Sequence, residues 1–324
     1  MTPFGTLPSG ETVHRVTLAN DHLSLSLLTY GARMQDLRLT GLDRSLVLGS
    51  DRLEDFTGPM PYHGALVGPV ANRIGTGRVT IEDMTYELER NQDGRMTLHS
   101  GSHGMHARNW TVAEASGTHA RLTLTLEDGD CDLPGRRDIA ADFRLEGATA
   151  RLEITAETDA PTLMNVANHT LWSMDGRPKW EGHRLRIDAE AYTPADADNL
   201  VTGEVRGVEG TDMDFRTLRR PEPGAPMLDH NFCLSETTTD LRDVAELRGA
   251  SGVAMVLATD RPGLQVFDNH VGLRPGAAPY EGFAMEPQDW PDAPAHRHFP
   301  SIGIAPGVPY RQVSAWTFTR GEEA

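Results

Sequence analysis

Alternating hydropathy, dense turn residues and scarce helical spacing together predict one large all-β domain built from antiparallel sheets. Apolar and polar residues alternate with period 2 along much of the 324-residue chain. That pattern gives a strand one buried and one wet face. The 32 glycines and 21 prolines, together with Asp and Asn, cluster between many of these runs, where turns belong. No linker, internal repeat or low-complexity segment divides the chain, so residues 1–324 read as a single domain.

The runs follow one another from end to end. The first spans 13–18. In the next, 23–27, Leu23, Leu25 and Leu27 alternate with Ser24 and Ser26. Residues 50–56 have the spacing of a helix of two turns at most. Alternation resumes at 121–126, where Leu122, Leu124 and Leu126 share a face, and at 151–155, with Leu152 and Ile154. Leu185 and Ile187 mark 184–188, and 241–247 is a second short helical candidate. The run 312–318 closes the pattern. Pro221-Glu222-Pro223-Gly224-Ala225-Pro226 reads as a surface loop.

Charge removes several classes of partner. With 47 acidic against 30 basic residues, the net charge of −17 opposes nucleic acid phosphates and anionic membrane surfaces. The single lysine, Lys179, lies in a polar turn, which argues against Schiff-base chemistry at a desolvated amine. Cys131 and Cys233 lack metal or redox spacing, and one bridge between them stays open. There is no apolar run of membrane-spanning length and no basic-then-apolar start, so a cytoplasmic protein is expected. No P-loop, dinucleotide fingerprint or Gly-x-Ser-x-Gly elbow occurs in the right context, and no cofactor is expected. His99, His103 and His106 have the spacing of one helix face, but Gly101 and Gly104 between them argue against a helix and against a metal site.

Acid–base chemistry on an uncharged polar substrate remains. His169 lies beside Asn168 in a strand-like run, 165–172, and imidazole has a pKa suited to general acid catalysis. Glu286 ends the apolar run 282–286, where burial raises a carboxylate toward the range of a general base. Asn72 and Arg73, His99, and Asp229 add polar groups on apolar-flanked segments. The polar, aromatic loop 289–294 reads equally as a cover for a polar substrate and as a plain turn. Taken singly, a strand histidine is more often a satisfied core residue, and a glutamate here an edge-strand residue paired with an arginine.

In combination the segments resemble the aldose 1-epimerase (galactose mutarotase) family. The matching motifs run in order from Tyr30-Gly31-Ala32 through Ala71-Asn72-Arg73-Ile74, Thr97-Leu98-His99-Ser100-Gly101 and Asn168-His169-Thr170. Asp214-Phe215-Arg216 and Asp229-His230-Asn231-Phe232 follow. Pro262-Gly263-Leu264-Gln265-Val266, Glu286-Pro287-Gln288 and Pro291-Asp292-Ala293 complete the series. The resemblance implies a many-stranded β-sandwich, or supersandwich, with the sugar site in an open cleft on one sheet. It implies interconversion of the α and β anomers of a free aldose. By motif, His169 looks like the general acid and Glu286 the general base. Asn72, Arg73, His99, Asp229 and Gln265 look like the residues that hold the sugar. The implied partner is a monosaccharide, and the protein a monomer or homodimer.

Three departures bear on substrate identity. Pro69 stands where the family often has arginine, Leu171-Trp172 replaces an aromatic pair, and Ala295 replaces a common asparagine. Trp172, Trp290 and His296 are candidates for reshaping the cleft. A relative acting on an anionic sugar would need an arginine cluster, for which Arg136, Arg137, Arg297 and Arg311 are possible sources. A non-catalytic sugar-binding protein would be expected to lose the acid or the base. A retaining glycosidase needs two carboxylates about 5 Å apart, and only Glu286 is a convincing one.

Overall fold

The computed structural model describes residues 1–321 of the chain. Three antiparallel sheets organise it. The first is a four-stranded meander of Thr2–Thr6, Thr12–Ala19, Leu23–Leu28 and Arg33–Leu39. The second has eight strands, in the order Thr111–Ala115, His119–Leu126, Arg137–Glu146, Thr149–Thr158, Tyr310–Arg320, Val253–Thr259, Arg242–Arg248 and Arg184–Ile187. The third has six, in the order Leu171–Trp172, Phe283–Gln288, Gly263–Phe267, Asp229–Cys233, Ala191–Thr193 and Arg206–Gly207. Short two-stranded pairs such as Arg73–Ile74 with Thr97–Leu98 link them.

The alternating residues do what their period requires. Leu18, Leu25 and Leu27 from the four-stranded sheet enter one core with Leu122, Phe143 and Ile154 from the eight-stranded sheet. Leu264, Val266 and Met285 reach the same core from the six-stranded sheet. Each such side chain contributes roughly 1.5–3 kcal/mol by leaving water. All six strand-like runs read from alternation lie within or overlap strands of the structure.

Two readings differ. The helical candidate at 50–56 shrinks to Leu53–Phe56, the one α-helix among the described residues. The candidate at 241–247 is instead the strand Arg242–Arg248. Its register shifts between Asp243 and Ala245. Such a bulge inserts an extra residue, so the buried positions Val244, Ala245 and Leu247 fall at a spacing that mimics a helix face.

The run 165–172 is not one strand. It breaks into Ala167–Asn168, paired with Leu66–Val67, and Leu171–Trp172, paired with Phe283–Gln288. His169 sits at the break. Glu286 belongs to a strand flanked on both sides, not to an edge.

Candidate active site

The face of the six-stranded sheet turned away from the core forms the floor of a cleft. Phe283 and Met285 enter the core, so Glu286 points the opposite way. The same alternation buries Leu264 and Val266 and turns Gln265 and Phe267 outward. Register then sets Glu286 opposite Gln265, and Asp229 opposite Phe267. At the other flank Leu171 pairs with Ala284. Two residues back from Leu171 and two residues on from Ala284, His169 comes beside Glu286, with Nε2 3.7 Å from Oε1.

Backbone bonds hold His169 from both directions. Its N–H donates to Ala65 O and its carbonyl accepts from Gly64 N–H, each at 2.9 Å. The segment that does this is shaped by Arg33, a fully buried guanidinium. Arg33 has only carbonyls for partners, among them those of Tyr30, Pro61, His63 and His106. Burial without a carboxylate lowers its pKa to about 9. The loop so fixed carries Tyr62, whose ring lies 4.6 Å from that of His99 and 5.9 Å from that of His169.

The second wall is built by strained backbone. Asn72, His99 and Ser100 have φ of 63°, 51° and 61°, a region that costs about 1–3 kcal/mol per non-glycine residue unless the surroundings enforce it. Reciprocal bonds enforce it here. His99 N–H donates to Asn72 O at 3.0 Å, and Asn72 N–H donates to His99 Nδ1 at 3.1 Å. Ser100 Oγ accepts from Val70 N–H and donates to Val70 O. Because Nδ1 of His99 accepts, the neutral ring carries its hydrogen on Nε2 and offers a donor. Arg73 Nε donates to Gln92 Oε1, and Nη2 lies 3.6 Å from Asp229 Oδ2. Gln265 Nε2 donates to Asp229 Oδ1 at 2.7 Å. Asp229 thus ties the arginine to the sheet and fixes the amide of Gln265 with its oxygen free.

Burial dominates the electrostatics of the central pair. Desolvation lowers His169 to about 4 and raises Glu286 well above the carboxylate range, with Asp229 adding to the rise and Arg73 opposing it. Both groups are therefore pushed toward their neutral forms. His–GluH and HisH⁺–Glu⁻ hold the same number of protons, so the pair keeps one transferable proton and burial decides where it rests.

All seven residues singled out in the sequence, Asn72, Arg73, His99, His169, Asp229, Gln265 and Glu286, line this one cleft of about 190 Å³. Tyr62, His63, Asn199, Phe267 and His270 line it too and were not singled out. Phe267 was legible, being two residues from Gln265 on the same face. Tyr62, His63 and His270 come from loops and carry no periodic signal. Among the described residues, no group of three or more His, Cys, Asp or Glu side chains is arranged to hold a metal ion.

Residues 14–316 match the family model for aldose 1-epimerase. The chain belongs to the aldose 1-epimerase family. It is an isomerase, interconverting the anomers of an aldose. It is 31% identical to galactose mutarotase of Rattus norvegicus, covering 98% of each chain. It is 28% identical to aldose 1-epimerase of Escherichia coli, covering 96% of each. A galactose 1-epimerase structure from Lactobacillus acidophilus superposes with a TM-score of 0.86 at 25% identity, over 99% of this chain and 98% of that one.

Within this aldose 1-epimerase the three candidates for reshaping the cleft lie elsewhere. Trp172 is a core residue against Trp316 and Phe318. Trp290 is buried against Phe299 and donates its indole N–H to Pro262 O, and no residue of the 289–294 loop lines the cleft. His296 packs on Phe299 as well. Arg136 and Arg311 pair with Asp138 and Glu153 on the eight-stranded sheet. Arg137 is buried under carbonyls of Glu127 and Asp130, and Arg297 is exposed. Arg73 is the one arginine lining the cleft among the described residues. Among the described residues, no helix is long and apolar enough to cross a membrane.

Proposed function

We propose that this aldose 1-epimerase acts on a free, neutral aldose, with His169 and Glu286 exchanging protons at a single anomeric centre. The observation that carries the reading is the 3.7 Å separation of His169 Nε2 and Glu286 Oε1. The anomeric hydroxyl and the ring oxygen are bonded to the same carbon, so two groups this close reach both atoms at once. Glu286 takes the proton of the C1 hydroxyl while His169 delivers one to the ring oxygen. The bond from C1 to the ring oxygen breaks and a carbonyl forms at C1. Both side chains are then neutral, the form that burial favours, so the dry cleft stabilises the ring-opened state relative to the starting ion pair. Rotation about C1–C2 presents the other carbonyl face. The C5 hydroxyl adds to it and returns its proton to His169, while Glu286 reprotonates the C1 oxygen.

The remaining groups suit hydroxyls. His99 Nε2–H, Arg73 and the Asn72 amide donate, while Asp229 and Gln265 Oε1 accept. The free thiols of Cys131 and Cys233 fit a reducing compartment, and we assign the protein to the cytoplasm. Polarimetry on freshly dissolved α-D-galactose and α-D-glucose tests the reading against the corresponding hexose 6-phosphates. The neutral sugars are expected to mutarotate faster with enzyme, and the phosphates at their spontaneous rate. Acceleration of the phosphates alone would overturn it.

A further inference from the structure

One imidazole in the cleft is held by a device that the proton transfer does not use. His270 follows the strand Gly263–Phe267 and lines the cleft, its ring edge-on to Phe267 with centroids 5.2 Å apart. Its Nδ1 lies 2.7 Å from Asp268 Oδ1. Asp268 is fully buried and already accepts two backbone N–H groups, from His270 at Oδ1 and from Leu228 at Oδ2. A carboxylate has acceptors only, so the hydrogen of the side-chain bond is Nδ1–H of His270. With a single hydrogen on the ring, the other nitrogen, Nε2, is then an acceptor, and it has no hydrogen-bond partner among the described residues. The neighbouring cleft residues Phe267, Val271 and Leu273 offer only carbon. Burying a carboxylate is costly, and here it fixes the tautomer and direction of one cleft histidine.

Position says what that acceptor meets. Gln265 is opposite Glu286, and Phe267 is two residues further along the strand, roughly 7 Å. His270 follows three residues after Phe267 and packs on its ring. With the anomeric carbon over Glu286, the groups that reach this far are at the opposite end of the sugar. We propose that His270 is a specificity residue whose Nε2 accepts a hydrogen bond from the aldose hydroxyl on C4 or C6, with Asp268 as its positioning residue. The inference rests on the aldose reading given above. A deoxy carbon at that place leaves Nε2 without a donor from the sugar. A phosphate there sets acceptor against acceptor, with Asp268 behind.

The test is a cycle of enzyme and substrate variants read as kcat/KM. Wild type, His270→Phe and His270→Gln are assayed on D-galactose, 4-deoxy-D-galactose and 6-deoxy-D-galactose, and on the glucose series if glucose turns over faster. Wild type is expected to prefer the parent sugar over one of the two deoxy sugars by roughly 3- to 10-fold. His270→Phe is expected to lose that preference by slowing the parent sugar and leaving that deoxy sugar unchanged. His270→Gln, which keeps an acceptor, is expected to restore part of it. A wild-type enzyme indifferent to both deletions, or a His270→Phe enzyme that keeps the preference, overturns the proposal. The first of these needs no variant to fold. Failure of the aldose reading itself is distinguishable, because then wild type accelerates none of the parent sugars.

Discussion

In the proposed mechanism His169 and Glu286 share one proton, and its gain or loss sets the pH range of activity. Below about pH 4 His169 takes up a second proton, and the pair has an acid but no base. Above the raised pKa of Glu286 the pair is stripped and has a base but no acid. The kcat/KM profile is therefore predicted to be bell-shaped. Its acid limb should lie near pH 4 and its alkaline limb well above the ordinary carboxylate value of about 4.3. The two limbs belong to the pair, not to either residue alone. Initial rates by polarimetry, corrected for spontaneous mutarotation, measure it. A rate that climbs steadily with pH across roughly pH 3–9 would contradict the assignment. At this scale the sequence was most legible for residues inside recognisable motifs, such as Asn72, His99 and Glu286. His63 and His270 were invisible, because a loop residue enters a cleft through tertiary packing and leaves no period in the chain.

Among the elements, the short segment that brackets His169 matters most. Gly64 has φ +71°, and a Cβ there would lie 2.2 Å from Met34 O. Its carbonyl accepts from Met34 N–H, and its N–H donates to His169 O. Gly64 therefore clamps the strand Arg33–Leu39 to His169, and a side chain at this position does not fit. Gly64→Ala is predicted to cost about 2–4 kcal/mol and to lower kcat by displacing His169. Chemical denaturation and polarimetry measure the two effects, and an unchanged denaturation midpoint would refute the strain argument. Regular strands were readable because one wet and one dry face impose period 2. Arg242–Arg248 was misread because its bulge borrows helical spacing. The strand break at His169 was unreadable, since both halves stay buried and only their partners differ.

For the whole molecule, the three sheets meet in one core. That core turns the second face of the six-stranded sheet outward as the cleft floor. The all-β class followed from alternation, turn residues and scarce helical spacing. The division into four, eight and six strands did not, because pairing is set by which faces meet and not by any local pattern. The net charge of −17 spares the cleft, where Arg73 offsets Asp229, and this leaves a site suited to a neutral ligand. The central claim is that His169 and Glu286 together open the sugar ring. Polarimetry of freshly dissolved α-D-galactose with wild type, His169→Ala and Glu286→Ala tests it most directly. Each substitution is predicted to lower kcat by roughly 10²- to 10⁴-fold, with the fold intact by circular dichroism. Acceleration near the wild-type level in both variants would contradict the claim.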